Sequence, residues 1–171
     1  GGALGRSWEL DSGFLRLEIE ARQRDPVAEL SSINDIAVSH PSATGGWSTT
    51  VNIWRDYAIH DYLTCYVGGG IGGGGYQFGI NQWYPIDDVS VTGLGTVTGF
   101  AWQAGGGVAF AITDGMTLDL GYRFFELGAG GVNAQVSSGG VPVDTTRITS
   151  AFSASELFFA VRIYDPFQGW W

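Results

Sequence analysis

The sequence predicts an all-β fold: an antiparallel up-and-down transmembrane β-barrel, with seven strands visible of an expected eight. Three observations predict it. Apolar and polar residues alternate with a period of two in segment after segment, and helix-period patterns are nearly absent. Glycine reaches 28 residues and aromatics 14%, a composition suited to twisted strands, tight turns and interfacial rings. The connections alternate short and long, as they do where strands cross a membrane up and down.

Taken in order, residues 3–10 (ALGRSWEL) read as the first strand and Asp11-Ser12-Gly13 as its turn. Residues 14–24 (FLRLEIEARQR) alternate strictly, with Leu15, Leu17, Ile19 and Ala21 facing one way and Arg16, Glu18, Glu20 and Arg22 the other. Residues 25–46 are polar, carry Pro26 and Pro41, and read as a long loop. Residues 47–57 (WSTTVNIWRDY) form the next strand, turned back by residues 58–61. Residues 62–79 form a long, glycine-heavy strand, and residues 81–95, with Pro85, Asp87 and Asp88, a second long loop. Residues 98–113 alternate again, and Asp114-Gly115 is a hairpin signal. Residues 116–127 set Leu118, Leu120, Tyr122 and Phe124 against Asp119, Gly121 and Arg123. A third long loop, 128–150 with Pro142, leads to the last strand, 151–167. That strand sets Leu157, Phe159, Val161 and Ile163 against Glu156 and Arg162, and it ends in Tyr164 and Phe167. All five prolines are thereby expected in loops or after the last strand, because proline breaks a ladder of hydrogen bonds.

The composition narrows the function. Residues 1–171 read as a single domain. A net charge of -9 with no lysine at all speaks against a nucleic-acid partner, which needs basic patches. Cys65 is alone, so neither a disulfide framework nor a CxxC pair is expected. There is no apolar run of about 18 residues for a membrane helix, a test that alternating barrel strands escape. The chain opens on Gly1 without a recognisable secretory leader and is expected to be processed or partial. The first strand precedes a short turn and the last follows a long loop, so both run the same way. Because single-chain barrels have an even strand number, an eighth strand is expected ahead of Gly1, cut off or supplied by another polypeptide. Residues 3–10 should then form an edge.

Charge decides which face is inside. Arg16, Arg22, Arg123 and Arg162 cancel Glu18, Glu20, Asp119 and Glu156 on the polar faces of the clearest strands. Neutrality is a requirement of an enclosed lumen, where an unpaired charge costs several kcal/mol, and not of a solvated surface. Those eight residues are therefore expected to form a packed lumen network without an open pore. Leu15, Leu17, Ile19, Phe110, Leu118, Leu120, Leu157, Phe159, Val161 and Ile163 are expected to face lipid. Trp47, Tyr57, Trp102, Phe124, Tyr164 and Phe167 are expected to form an interfacial aromatic girdle.

GYRFFEL at 121–127 and SELFFAVRIYDPF at 155–167 together resemble the last hairpin of the small opacity-protein/OmpA-like outer-membrane barrels. FLRLEIEARQR and CYVGGGIGGGGYQ resemble earlier strands of that pattern. The chain departs from it in lacking the first strand and in the tail Gln168-Gly169-Trp170-Trp171. The resemblance implies an integral, porin-like protein of a Gram-negative outer membrane, with a structural, adhesive or surface-antigen role and no enzymatic activity. The partners it implies are membrane lipid and lipopolysaccharide, with other envelope proteins reached through the long loops.

Other motifs carry ordinary readings. GGGIGGGG at 68–75 contains a GxGxxG spacing, but Tyr76-Gln77-Phe78 continues a strand where phosphate binding needs a helix. His40 lies in a long loop and His60 in a short turn, so they are expected on opposite sides of the membrane. His40 with Ser39 or Ser42 and Asp35 is the one arrangement that would suit a lipid-A-modifying enzyme. Asp35, Asp87, Asp88 and Asp144 make the long-loop face acidic, where divalent cations would bridge to lipopolysaccharide. Cys65 shares a face with Leu63 and Val67 and reads as a small hydrophobe. No catalytic residue, metal or cofactor is expected. Two alternatives stand beside the membrane barrel: a soluble lipocalin-like barrel with a ligand in an apolar interior, and the lipid-A enzyme.

Overall fold

Period-two alternation runs further along the chain than its loop-like composition suggests. The computed structural model describes residues 1–24, 32–33 and 38–164, with side chains described for residues 1–24 and 42–164. Within them the strands are β1 (Gly2–Leu10), β2 (Gly13–Arg24), β3 (Ser32–Ile33), β4 (Val38–His60), β5 (Leu63–Tyr84), β6 (Val89–Thr113), β7 (Met116–Ser138) and β8 (Val141–Ile163). The fold is all-β. One antiparallel sheet runs β1-β2-β4-β5-β6-β7-β8 with every neighbour adjacent in sequence, and the two-residue β3 pairs β4.

This sheet does not close into the expected barrel. β1 pairs β2 alone and β8 pairs β7 alone, and β1 is exposed along its whole length. The edge expected at residues 3–10 is therefore present. The curl of the sheet nonetheless brings β2 round to β8, whose inward side chains touch across the seam.

The long loops expected at 81–95 and 128–150 are mostly strand. β5 and β6 run on to a four-residue turn at 85–88, and β7 and β8 to Gly139-Gly140. Both glycines have positive φ (57° and 78°), as a two-residue hairpin of mirror-image type requires. The expectation for proline fails with the loops, because Pro41 lies in β4 opposite Ile80 and Pro142 in β8 opposite Ser137. Among the described residues, each sits where its strand has no second neighbour. β2 ends opposite Gly46 and β3 opposite Ser39, leaving Pro41 between them, while Pro142 is on an edge strand. Proline is tolerated there because no ladder bond is lost.

An apolar inward row runs from the predicted strands on into the segments of loop-like composition. Tyr76, Phe78, Val97, Ala101, Phe125, Leu127 and Val132 are buried together, with Ala43, Ile80, Ile148 and Phe152 against them. The outward residues of the same segments are mixed: Gln77, Asn81, Thr96, Thr98 and Ser153 stand beside exposed Leu94, Phe100, Val141 and Val143. Nearer the short turns the polarity is reversed. Inward stand Arg16, Glu20, Asn52, Asp56, Gln103, Asp119 and Arg123, all buried, while Ile19, Ile53, Val67, Phe110, Leu118, Leu157 and Phe159 are exposed outside. The switch comes at one level around the sheet, along the paired positions Trp102, Glu126 and Ser153.

Glycine makes the lower interior fit. A Cβ on Gly121 would overlap the Phe158 ring and stand 2.6 Å from Tyr66 Oη, and one on Gly70 would overlap Asn52 Oδ1. The glycine run of β5 thus makes room for β4 side chains, which explains why a strand tolerates so many residues of low β propensity. Replacing Gly121 with alanine is expected to cost about 1–3 kcal/mol through overpacking, measured by denaturant unfolding. Adding Phe158→Leu should return a measurable part of that loss; an unchanged loss would show that the close approach is not what the glycine serves.

Candidate functional site

The constellation richest in chemistry is the charged interior of the lower half. The register places its members: even positions of β2, β4, β5 and β8 and odd positions of β6 and β7 point inward there. Two clusters result. In the upper one Arg123 Nη1 donates to Glu20 Oε1 at 2.8 Å and Oε2 at 3.0 Å. Gln103 Nε2 donates to Asn52 Oδ1 at 2.7 Å and Glu20 Oε2 at 3.0 Å, and Asn52 Nδ2 to Glu20 Oε2 at 3.1 Å. Glu156 meets Arg24 Nε at 2.5 Å, Arg123 Nε at 2.9 Å and Arg22 Nη1 at 3.8 Å. Arg22 Nε also donates to Glu20 at 2.8 Å, and Arg24 to Ser48.

In the lower cluster Arg16 holds Asp56 in a two-pronged grip, Nε to Oδ2 at 2.7 Å and Nη2 to Oδ1 at 3.0 Å, and also pairs Glu18. Arg162 reaches Asp56 Oδ2 at 3.3 Å, pairs Asp119 and donates to Tyr164 Oη at 2.9 Å. The guanidiniums of Arg16 and Arg162 lie 5.4 and 5.6 Å from the Tyr66 ring centroid. Trp54 closes on that ring edge-on at 5.8 Å.

All eight residues expected in the lumen thus point inward and are ion-paired. The sequence reading missed Arg24 and Asp56, one charge of each sign, so five arginines face five carboxylates and the interior is neutral. Arg24 was detectable, since it continues the alternation of Arg16 and Arg22. Asn52 and Gln103 were not, because an uncharged amide in a strand has no pattern of its own. The interior between this network and the apolar cluster is filled: the void bordered by Arg24, Trp47 and Phe125 measures about 10 Å³, room for about one water.

The ten positions expected to face lipid lie on the outer face, where Leu157 and Phe159 are 79% and 76% exposed. Trp47 and Tyr57 stand exposed on the outer face of β4, and Trp102 packs on Phe124 with centroids 5.5 Å apart. Tyr164 turns instead to Arg162 at the mouth of the interior, and Phe167 lies outside the described residues. Two cations occupy the outer face of the lower half: Arg6 over the Trp8 ring, and Arg55, which stacks on Tyr57 and donates to Ser12 Oγ at 2.7 Å.

The remaining expectations concern isolated groups. His40 and His60 stand 20 positions apart on β4, roughly 65 Å at 3.3 Å per residue, too far to share a metal. His60 is exposed and stacks on Tyr62; the His40 and Ser39 side chains and all of Asp35 lie outside the described residues. Asp87 and Asp88 are exposed in the β5–β6 turn and Asp144 on β8, where its Oδ1 accepts from the Thr145 amide. Among the described residues no group of three or more His, Cys, Asp or Glu side chains is placed to hold a metal. The glycine run is continuous strand and not a phosphate loop. No family model, curated protein or solved structure matches the chain.

Arg123 is 2% exposed and serves two carboxylates, so its removal takes a buried cation from each and leaves the interior with one excess negative charge. Arg123→Met should destabilise by about 3–5 kcal/mol in equilibrium unfolding. Restoring neutrality with Glu20→Gln in the same chain should recover a measurable part of it. If the double variant is as unstable as the single one, packing and not charge is what Arg123 contributes.

Proposed function

We propose that this chain is an integral outer-membrane β-barrel wall with a plugged, ion-paired lumen, serving a structural, adhesive or surface-assembly role. The observation that carries the reading is an inversion of polarity along the sheet. In the half near the short turns, charge is buried and grease exposed; in the other half the interior is apolar and the outer face mixes amides and hydroxyls with exposed Leu94, Val141 and Val143. A sheet immersed wholly in water would place its large apolar side chains inward throughout, because their burial is worth about 25 cal/mol per Å². A sheet that is half in lipid and half in water has the arrangement seen here.

Dimensions agree. The apolar outer zone runs from Val51 to Ile59 on β4 and from Trp102 to Ile112 on β6, close to the roughly 9–11 residues a tilted strand needs to cross a bilayer. The outer parts of the strands then stand clear of the membrane as a rigid stalk with its own apolar core. That stalk, and not a set of long loops, is the surface offered to lipopolysaccharide or to other envelope proteins. Its hairpin tips touch where the Gly139 amide donates to the Asp88 carbonyl at 3.0 Å. Arg55 fits the same reading by running its stem along the apolar face toward the turn at Ser12. The ion pairs and the small void inside favour a wall over a pore. The outward leucines and phenylalanines weigh against a lipocalin-like ligand cavity.

The chain is expected to stay with membranes through alkaline carbonate washing and to be released by detergent. In lipid vesicles Phe159→Arg should cost about 2–4 kcal/mol of folding free energy. Thr96→Arg, on the outer face of the stalk, should change stability by no more than about 0.5 kcal/mol. Equal costs at the two positions, or a chain soluble without detergent, would overturn the membrane reading.

A further inference from the structure

The interior network uses five of the eight arginines, and the other three, Arg6, Arg55 and Arg147, stand on the outer face. Among the described residues none of these three enters an ion pair. Arg147 belongs to the stalk, where a lone cation is ordinary. Arg6 and Arg55 belong to the apolar half, where a cation on a lipid-facing wall is costly unless something answers its charge. The ladder brings the two together. Arg55 pairs Leu15 on β2, Leu15 pairs Trp8 on β1, and Arg6 lies two residues along from Trp8. Sideways they are two strand spacings apart, roughly 10 Å, within the reach of two arginine side chains turned toward each other.

Both side chains lean toward the short turns. Arg6 lies over the Trp8 ring at 5.8 Å and Arg55 over the Tyr57 ring at 4.9 Å. Tyr57 pairs Gly13, so the β1–β2 turn falls at its level, and the Arg55 guanidinium arrives where the apolar wall gives way to that turn. There its Nη2 donates to Ser12 Oγ at 2.7 Å, while Nη1 is covered and has no acceptor. An unmet donor favours a turn of the guanidinium toward an incoming acceptor. Away from the turn the wall continues as Leu17 beside Ile53 and Ile19 beside Val51, all four exposed.

We propose that Arg6, Arg55 and the Ser12 hydroxyl hold the phosphate of a glycerophospholipid of net negative charge, at the short-turn edge of the wall. The site rests on the membrane reading. Guanidinium forks match phosphate oxygens in pairs, and Ser12 Oγ, which accepts from Arg55, keeps its own proton to donate. The acyl chains lie over Leu17, Ile53, Ile19 and Val51, and Trp8 and Tyr57 bracket the headgroup at interfacial depth. A zwitterionic lipid suits the site less well, because its own ammonium competes for the phosphate charge. The site stands at the opposite end of the strands from the turn that carries Asp87 and Asp88, and it needs no divalent cation.

The full chain, refolded in detergent, is incubated with equal amounts of phosphatidylglycerol and phosphatidylcholine of the same acyl chains, and retained lipid is read by native mass spectrometry. One arginine beside an anionic lipid is worth about fivefold in binding, so two should favour phosphatidylglycerol by about twentyfold. Arg6→Gln and Arg55→Gln should each lower that preference about fivefold, and together they should remove it. Arg147→Gln should leave it unchanged. All three positions face outward, so the interior pairs stay intact, and thermal unfolding checks the fold of each variant. On the unaltered chain the preference should fall as salt is raised. A preference that is absent, indifferent to salt, kept by the double variant or lowered as much by Arg147→Gln would overturn the site. Displacement of the lipid by inorganic phosphate would do so too, by marking a site for the free anion. A chain that survives carbonate washing with the membrane yet shows no preference loses only this site; a chain soluble without detergent loses the membrane reading and the site with it.

Discussion

A carboxylate enclosed among strands is tolerable only when a cation meets it at hydrogen-bonding distance, and that constraint organises this protein. Glu20 is the centre of it: Arg123, Arg22, Gln103 and Asn52 all converge on its two oxygens, drawn from four strands. Because β2, β4, β6 and β7 each supply one partner, the pairing is compatible with one relative register of those strands, the one their backbone ladders have. Glu156 performs the same task between β8 and β2, where no ladder exists. The curl of an unclosed sheet is thereby held by side chains.

From that requirement the rest of the cross-section follows. Long cations and acids fill the centre only if the opposing positions are small, and Gly70, Gly107 and Gly121 supply the space for Asn52, Tyr66 and Phe158. Tyr66 takes the role of an apolar spacer between Arg16 and Arg162, offering them its ring face while Trp54 holds its edge. With the centre occupied by charge, the apolar residues of the same strands have nowhere to go but outward. Further along, the inward positions turn apolar, the network stops, and the outer face becomes a mixture of hydroxyls, amides and apolar side chains. The lipid-facing reading and the stalk above it are two consequences of where along the strands the interior changes chemistry.

The open seam is the counterpart of the same geometry. A closed antiparallel sheet of seven up-and-down strands is a topological contradiction, since its edges are parallel. The charge balance inside does not depend on what stands in the seam, so the network can be complete while the ladder is not. β1, at the open edge, is exposed along its length, with Trp8 and Leu10 a little over half covered.

Much was legible in the chain because period two is a local property. The lumen residues, the outer apolar positions, the short turns and the edge at residues 3–10 all follow from alternation and parity, which need no knowledge of neighbours. Two things did not follow. The outer ends of β5 to β8 read as loops because Gly, Thr, Asn and Pro signal turns locally; the cross-strand ladders there, with Val132 and Ile148 packed into the apolar cluster, make them strands. Likewise the sequence set which residues face inward, but not that Arg24 would cross the seam to Glu156 or that Asp56 would join Arg16 to Arg162. Facing is decided by the pleat of one strand, whereas pairing is decided by the stagger and curl of seven, and those exist only once the sheet has formed.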